Sequence, residues 1–316
     1  MAYHVVIPRD ISEPGKAYLR ARGYRVTVGT GSRNPDEIRA LITDADAILA
    51  RTGDYSASVL SAAKNLRVIG RHGVGMDGFD LDYCRAHGVR VVNAPNANSE
   101  SVAEHTVGQM LALSHRFLPF DRAVRAGDFS IAAREATCDL YGKTLGVVGV
   151  GNIGRLVAMK AMAGFSMKTI GYAPRPPKGG VPIGLALVGT LDELFERADY
   201  VSLHMPLNSE TRGMIGADLI GKMKPTAFLI NNARGGVLDE QALFDALQGR
   251  RIAGAAVDVY AAEPVQTDCP LLTLDNILLT PHSAALTRES LDRMGLMAAE
   301  GIDDVLSGRE PKHPVA

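Results

Sequence analysis

The sequence predicts an α/β protein of two domains built on parallel sheets, and three observations predict it. Short apolar runs alternate with polar, helix-like segments from the N-terminus to about Asn98. A glycine-spaced turn, Gly149-Val150-Gly151-Asn152-Ile153-Gly154, sits between an apolar run and a helix start. The alternation then resumes and continues to about Thr280. Alternation of this kind favours parallel strands, because each parallel return needs a crossover that a helix supplies.

In the first region His4–Pro8, Tyr24–Val28, Ala47–Ala50, Arg67–Gly70 and Arg90–Val92 read as strands. Asn34-Pro35-Asp36-Glu37 supplies a cap, a proline at the first helical position and acids in the first turn, and Asp80 to Gly88 brackets another helix. Ser101-Val-Ala-Glu104 reads as a capping box, followed by Val102, Thr106, Val107, Met110, Leu111, Leu113 and Leu118 at mostly helical spacing through about Phe117. This helix reads either as a core helix or as one that packs across a domain or subunit boundary. The domain change is placed near Ala97–Ser99. Beyond the glycines, strands are expected at Lys168–Tyr172, Ala186–Val188, Tyr200–Leu203, Ala227–Asn231, Gly254–Val259 and Ile277–Thr280. Thr190 and Asp239 cap helices between them. Leu286–Leu306 reads as a last long helix that the pattern alone assigns to neither domain.

Composition narrows the function classes. Hydrophobic residues make up 46% and charged residues 22% of 316, an ordinary globular balance. Lys and Arg number 34 against 35 Asp and Glu, which argues against a nucleic-acid-binding surface. No apolar run reaches the ~18 residues of a membrane span, and MAYHVVIPRD lacks a signal-peptide profile, so a cytoplasmic setting without membrane partners is expected. Cys84, Cys138 and Cys269 fit no metal spacing, and they are expected to be packing thiols with no metal site.

The glycine turn carries the first chemistry. Thr144–Val148 reads as a buried strand and Ile153–Ala163 as the helix after the turn. Gly149 suits the tight turn, Gly151 the approach of a pyrophosphate to the backbone, and Gly154 close helix–strand packing. The N–H groups of Asn152 and Ile153 would then face the anion. An acidic residue is expected near the end of the next strand if the cofactor is NAD, but the sequence there is Gly171-Tyr-Ala-Pro-Arg175. The missing carboxylate and the presence of Arg175, with Lys178 nearby, favour the 2′-phosphate of NADP, with NAD possible. The bland reading is a surface arginine in a proline-rich loop.

Six motifs in order extend the reading over nearly the whole chain. They are Gly73-Val-Gly-Met-Asp77, Val92-Asn-Ala-Pro95 with Asn98-Ser-Glu-Ser-Val-Ala-Glu-His-Thr106, the glycine turn, Asn231-Asn-Ala-Arg-Gly-Gly-Val-Leu-Asp239, Val257-Asp-Val-Tyr260 with Glu263-Pro264, and Thr280-Pro-His-Ser283. Together they resemble the D-isomer-specific 2-hydroxyacid dehydrogenase family. The resemblance implies two Rossmann-like domains: a flavodoxin-like substrate domain of residues 1–98 and 283–316, and a dinucleotide-binding domain of residues 99–282. It also implies an active site in the cleft between them and a homodimer held largely by the cofactor domains and the helix after Ser99.

Carried over by motif, the resemblance makes Arg234, Glu263 and His282 the catalytic set. Each suits the chemistry of reducing a 2-oxo acid. Histidine titrates nearest neutrality and can give a proton to the carbonyl oxygen; a neighbouring carboxylate favours imidazolium; a guanidinium binds a carboxylate with paired donors. The resemblance further implies that Val74 and Gly75 offer N–H groups to the substrate carboxylate and that Arg51 is a substrate-loop arginine. It places Thr106 close to the cofactor and has Asp258 accept from the nicotinamide carboxamide. His105 and His204 are read as structural, while His72 and Asp77 flank the substrate loop without a role.

The expected activity is reduction of small 2-oxo acids, with glyoxylate and hydroxypyruvate first, using NADPH in preference to NADH. Phosphoglycerate dehydrogenase activity is an alternative. Asp54 near the substrate loop weighs against a phosphorylated substrate, and members with a regulatory C-terminal domain are longer than this chain. A nucleotide-sensing, corepressor-like binding protein is the alternative from another class.

Overall fold

The computed structural model describes residues 2–177 and 179–316, so the sequence reading of Lys178 lies outside the described residues. The chain divides into two compact units, one running to Asn98 and resuming at Ala285–Ala316, the other Ser99–Ala284.

The first unit alternates β1 (His4–Ile7), α1 (Glu13–Ala21), β2 (Arg25–Val28), α2 (Pro35–Leu41), β3 (Ala47–Ala50), α3 (Ala57–Leu60), β4 (Val68–Arg71), α4 (Leu81–Ala86) and β5 (Arg90–Val92). Its five strands are parallel in the order β2-β1-β3-β4-β5. Successive strand residues point to opposite faces, and both faces are covered. Val6, Ile48, Ile69 and Val91 pack with Ile38, Val59, Leu60 and Cys84 of α2, α3 and α4. Val5, Leu49, Val68 and Val92 pack with Leu19 of α1 and with Ala298, Ile302 and Leu306 of the long final helix, Arg288–Leu306. That helix therefore belongs to the first unit, where a Cβ on Gly70 would sit 2.8 Å from the Ala298 carbonyl and the Ile302 side chain. Each fully buried Ile or Leu here contributes about 1.5–3 kcal/mol relative to an exposed one.

The second unit opens with α5 (Ser99–Ser114), α6 (Phe117–Arg125) and α7 (Ile131–Arg134). There follow β6 (Thr144–Val148), α8 (Asn152–Phe165), β7 (Lys168–Tyr172), β8 (Leu185–Leu187), α9 (Leu191–Arg197) and β9 (Tyr200–Leu203). The unit is completed by α10 (Ala217–Ile220), β10 (Phe228–Asn231), α11 (Glu240–Gln248), β11 (Gly254–Val257) and β12 (Ile277–Leu279). The final helix of the first unit is α12. Seven parallel strands run β12-β11-β10-β9-β6-β7-β8, so the order reverses between β6 and β9. In an open parallel sheet, that reversal is where a crevice opens at the carboxyl ends of the strands.

Local chemistry explains most boundaries. The Asn34 side chain accepts from the Asp36 N–H at 2.9 Å, Asp80 from Tyr83 at 2.8 Å and Thr190 from Glu193 at 3.2 Å. Both ends of α5 depart from the sequence reading. The helix expected to start at the Ser101–Glu104 capping box begins at Ser99, which puts both residues inside it. It also ends at Ser114 rather than near Phe117, because Arg116 takes a left-handed conformation (φ 51°) and redirects the chain into α6. Among the described residues no helix is long and apolar enough to cross a membrane.

Candidate active site

The glycine turn stands at the sheet reversal. Gly149 (φ +97°) lies so close to β9 that a Cβ would sit 2.8 Å from the His204 carbonyl. A Cβ on Gly154 would collide with the Gly149 carbonyl oxygen, and this fixes how tightly α8 packs on β6. Gly151 differs: a Cβ there would meet nothing within 4 Å. Two glycines are thus demanded by packing, and the third faces open space before the first turn of α8. Backbone N–H groups at a helix start with room in front suit a pyrophosphate, so the turn fits a dinucleotide. Asn152 and Ile153 are the first residues of α8, while Arg175 is exposed in the loop after β7.

The carboxyl ends of β10, β11 and β12 bring Arg234, Glu263 and His282 near one another. Beyond β10, the Asn231 side chain accepts from the Ala233 N–H at 3.1 Å and donates to the Arg234 carbonyl at 3.1 Å, folding the turn that presents Arg234. Gly235 then packs backbone to backbone on Tyr260; a Cβ would collide with the Tyr260 carbonyl carbon, so this turn and the loop after β11 meet without side chains between them. In that second loop Glu263 accepts from the Tyr260 N–H at 3.2 Å through Oε1 and pairs with His282 Nδ1 at 2.8 Å through Oε2. Burial would raise the Glu263 carboxyl, but the hydrogen bond and charge of His282, the Tyr260 N–H and the nearby Arg234 charge hold it below the usual range. The carboxylate therefore stays ionised beside the imidazole.

His282 has a left-handed backbone (φ 52°), a conformation that costs a non-glycine residue about 1 kcal/mol or more. Asp258 holds it there. Its carbonyl accepts the His282 N–H at 2.7 Å, and Oδ1 accepts from Thr280 Oγ1 at 2.6 Å and the Ser283 N–H at 2.8 Å. Oδ2 accepts from the Ala284 N–H at 3.0 Å. Asp258 is 1% exposed, and its contacts shape the 280–284 loop. His105 approaches Thr280 Oγ1 at 3.3 Å and buttresses the same loop.

Thr106 lies inside the unit. It is fully buried, with its hydroxyl donating to the Val102 carbonyl at 2.8 Å and accepting from Asn232 Nδ2 at 2.8 Å. A side chain held in this way supports the Asn232–Arg234 turn. Asn232, which also donates to Gln109 Oε1 at 2.9 Å, was not singled out by sequence reasoning; only its place beside Asn231 in the motif hinted at it.

In the first unit, the turn after β4 holds Val74 and Gly75. The Gly73 carbonyl accepts from the Ala94 N–H at 2.9 Å, the Val74 carbonyl from Asn93 Nδ2 at 3.0 Å, and the Gly75 carbonyl from Arg71 Nε at 2.9 Å. In a trans peptide the N–H points opposite its carbonyl, so tying down the carbonyls of Gly73 and Val74 turns the N–H groups of Val74 and Gly75 the other way. Arg51 donates to the Asp10 carbonyl at 3.0 Å and Arg9 to the Thr52 carbonyl at 2.9 Å. Burial and the charge of Arg33 lower the pKa of both Arg9 and Arg51, with Arg51 also acting on Arg9. A cationic rim therefore follows the ends of β1, β2 and β3. Asp54 instead turns its Oδ1 onto the Ser56 N–H at 2.8 Å, in the turn that leads into α3. Burial and the charges of Arg51 and Arg71 push His72 down to about 4, so it is a neutral core imidazole. His204 is likewise pushed down to about 3 by burial, and Ser202 Oγ lies 2.8 Å from its Nε2.

Among the described residues no group of three or more His, Cys, Asp or Glu side chains converges on a metal position. A cavity of about 350 Å³ lies at the opposite end of the second sheet, lined by Ser114, Cys138, Lys143, Tyr200 and Phe228 at or before the strand starts. It is remote from the imidazole–carboxylate pair.

These features agree with comparisons to known proteins. A sequence model of the D-isomer specific 2-hydroxyacid dehydrogenase NAD binding domain matches residues 107–284. The chain is 44% identical over 285 residues to a D-3-phosphoglycerate dehydrogenase of Methanocaldococcus jannaschii, covering 90% of this chain and 54% of that protein. It spans 51–59% of the length of the other phosphoglycerate dehydrogenases it matches. It is 37% identical over 270 residues to a hydroxypyruvate reductase of Thermotoga maritima, covering 84% of this chain and 87% of that one. The crystal structure of an NADPH-dependent glyoxylate/hydroxypyruvate reductase from Sinorhizobium meliloti, in complex with NADP and malonate, superposes with a TM-score of 0.87 at 26% identity over 100% of this chain and 97% of that one. With a matching domain over more than half its length and the motif residues assembled at the strand ends, the chain belongs to the D-isomer specific 2-hydroxyacid dehydrogenase family.

Proposed function

We propose that the chain is an NAD(P)-dependent oxidoreductase that reduces small 2-oxo acids, glyoxylate and hydroxypyruvate first, to D-2-hydroxy acids. The observation that carries this reading is the 2.8 Å contact between His282 Nδ1 and Glu263 Oε2. With Nδ1 held by a carboxylate, Nε2 is the ring nitrogen left to give a proton to the carbonyl oxygen in reduction and take it back in oxidation. Arg234 binds the substrate carboxylate and polarises the carbonyl with a planar pair of donors. The cofactor supplies the hydride from C4 of its nicotinamide. Gly149, Gly151, Asn152, Ile153 and Gly154 hold its pyrophosphate, Arg175 the 2′-phosphate of NADP, and Asp258 the carboxamide. Unit two is accordingly the cofactor domain. Unit one is the substrate domain, contributing Arg51 and the N–H groups of Val74 and Gly75. The working form is a cytoplasmic homodimer, a reading supported by the exposed Phe117, Leu118, Val124 and Phe129, which sedimentation would check.

A second reading, oxidation of 3-phosphoglycerate, is favoured by the cationic rim of Arg9, Arg33 and Arg51, which exceeds what one carboxylate needs. The 44%-identical relative of that name points the same way. Held on the Ser56 N–H, Asp54 opposes it less than its sequence position suggests.

Steady-state oxidation of NADPH and NADH with glyoxylate, hydroxypyruvate and 3-phosphohydroxypyruvate decides. Faster turnover of the unphosphorylated acids supports the first reading, and kcat/KM at least tenfold higher for the phosphorylated one replaces it with the second. Cofactor binding without turnover of any of them would overturn both and leave a nucleotide-sensing protein.

A further inference from the structure

The 2′-phosphate of NADP is a dianion, and one exposed arginine is a weak clamp for it. The loop after β7 contains a second feature that the cofactor motif does not require. Arg155 is the residue directly after the third motif glycine, in the first turn of α8. Its guanidinium runs beneath the loop that carries Arg175: a Cβ on Gly179 would collide with Arg155 Nη1. Gly179 (φ +93°) and Gly180 (φ +79°) both take left-handed conformations, and the Gly180 N–H closes a turn on the Pro177 carbonyl at 3.0 Å. Gly179 thus passes the arginine with bare backbone. At the end of β7, where an NAD-specific site holds a carboxylate, stands Ala173, packed on the core cluster of the α8 side.

The adenosine ribose of a bound dinucleotide lies between the glycine turn and the end of the second strand. Arg155 stands on the helix that follows the glycine turn, and Arg175 in the loop after that strand. We propose that Arg155 is a specificity determinant of the cofactor site, sharing the 2′-phosphate of NADP with Arg175 under a turn that Gly179 keeps open. This rests on the reading that NADP is the preferred cofactor. Two guanidinium groups offer the phosphate paired, charge-assisted bonds on separate oxygens, and neither has a counterpart to bind on the 2′-hydroxyl of NAD.

The test is direct binding: titration of the protein with NADPH and with NADH, followed by nicotinamide fluorescence without substrate. Arg155→Ala is expected to raise the Kd for NADPH about 10-fold or more and to leave the Kd for NADH within about twofold. Arg155→Gln, which keeps the stem and some hydrogen bonding, serves if the alanine variant melts early, with the same expectation. Gly179→Ala should shift NADPH binding in the same direction, since the added methyl displaces the guanidinium. Equal weakening for both coenzymes would assign Arg155 to loop packing or the pyrophosphate and overturn the proposal, as would unchanged binding of both. If the unmodified protein binds NADH as tightly as NADPH, the cofactor reading itself falls. If it prefers NADPH and Arg155→Ala keeps that preference, only the role of Arg155 falls.

Discussion

Asp258 in the second unit and Asp303 in the first are each 1% exposed, and each is surrounded by donors. Their donors differ in kind. Asp258 takes the main-chain N–H groups of Ser283 and Ala284 and the hydroxyl of Thr280, all from one short loop. Asp303, on α12, takes side chains from the far end of the chain, Tyr18 at 3.1 Å, Arg22 at 2.8 Å and Tyr24 at 2.7 Å, and Arg309 six residues on at 2.7 Å. A buried carboxylate answered by local backbone shapes a loop; one answered by remote side chains fastens elements together. The same chemistry therefore serves a site in one unit and a fold in the other.

The largest effect expected is at the residue that the first aspartate positions. His282→Ala should lower kcat by about 10²–10⁴ while cofactor binding and thermal midpoint stay near those of the parent, because the side chain is exposed and acts on the proton. Unchanged turnover would mean that the proton comes from elsewhere. Asp258→Asn should follow with a loss of about 10–10² in kcat, since the amide places an N–H against a backbone donor and releases the left-handed residue 282. Asp303→Asn should leave kcat within about twofold and instead lower the unfolding free energy by about 2 kcal/mol in urea. If Asp303→Asn inactivates the folded enzyme, or Asp258→Asn only destabilises it, the division between the two aspartates fails.

The sequence disclosed these two regions unequally. Arg234, Glu263 and His282 sit in short motifs at strand ends, so their gathering at one sheet edge followed once the strands were placed. The strands were legible because both faces of each sheet are covered, which leaves continuous apolar runs such as Val5–Ile7 and Leu145–Val148. The α5–α6 break was not legible, since Arg116 carries no residue-level sign of a left-handed backbone. Nor was the closure of Thr106: a threonine four residues after Val102 looks the same whether its hydroxyl faces a ligand or the Val102 carbonyl. Asp303 gave no signal at all, because Tyr18 and Arg22 lie some 280 positions away in sequence and only the return of α12 onto α1 brings them together. Local pattern reveals what local backbone does; tertiary side-chain networks escape it.

Acid sharpens the contrast at Asp303. Burial would raise its carboxyl, but Tyr24, Arg309, Tyr18 and the charge of Arg22 hold it below the usual range. A carboxyl depressed in the folded state contributes stability that is complete above its unfolded value, near 3.9, and is lost as pH falls through the folded value. The stability gap between the parent and Asp303→Asn should therefore be constant near neutrality and shrink below about pH 4. A gap that widens in acid would mean that the carboxylate is not the stabilising form.

The smallest effect expected tests whether the donors around Asp303 act together. Tyr24→Phe removes one neutral hydroxyl and leaves Tyr18, Arg22 and Arg309 on the carboxylate. A single hydrogen bond of this kind contributes about 1 kcal/mol, and the aspartate keeps charged partners, so a loss near that value is expected from urea unfolding, with turnover unaffected. In the Asp303→Asn background the same substitution should cost less, because the acceptor it served has already lost its charge. Equal cost in both backgrounds would show that Tyr24 acts through ring packing, beside Tyr3 at 6.4 Å between ring centres, and that the network around Asp303 is a set of independent contacts.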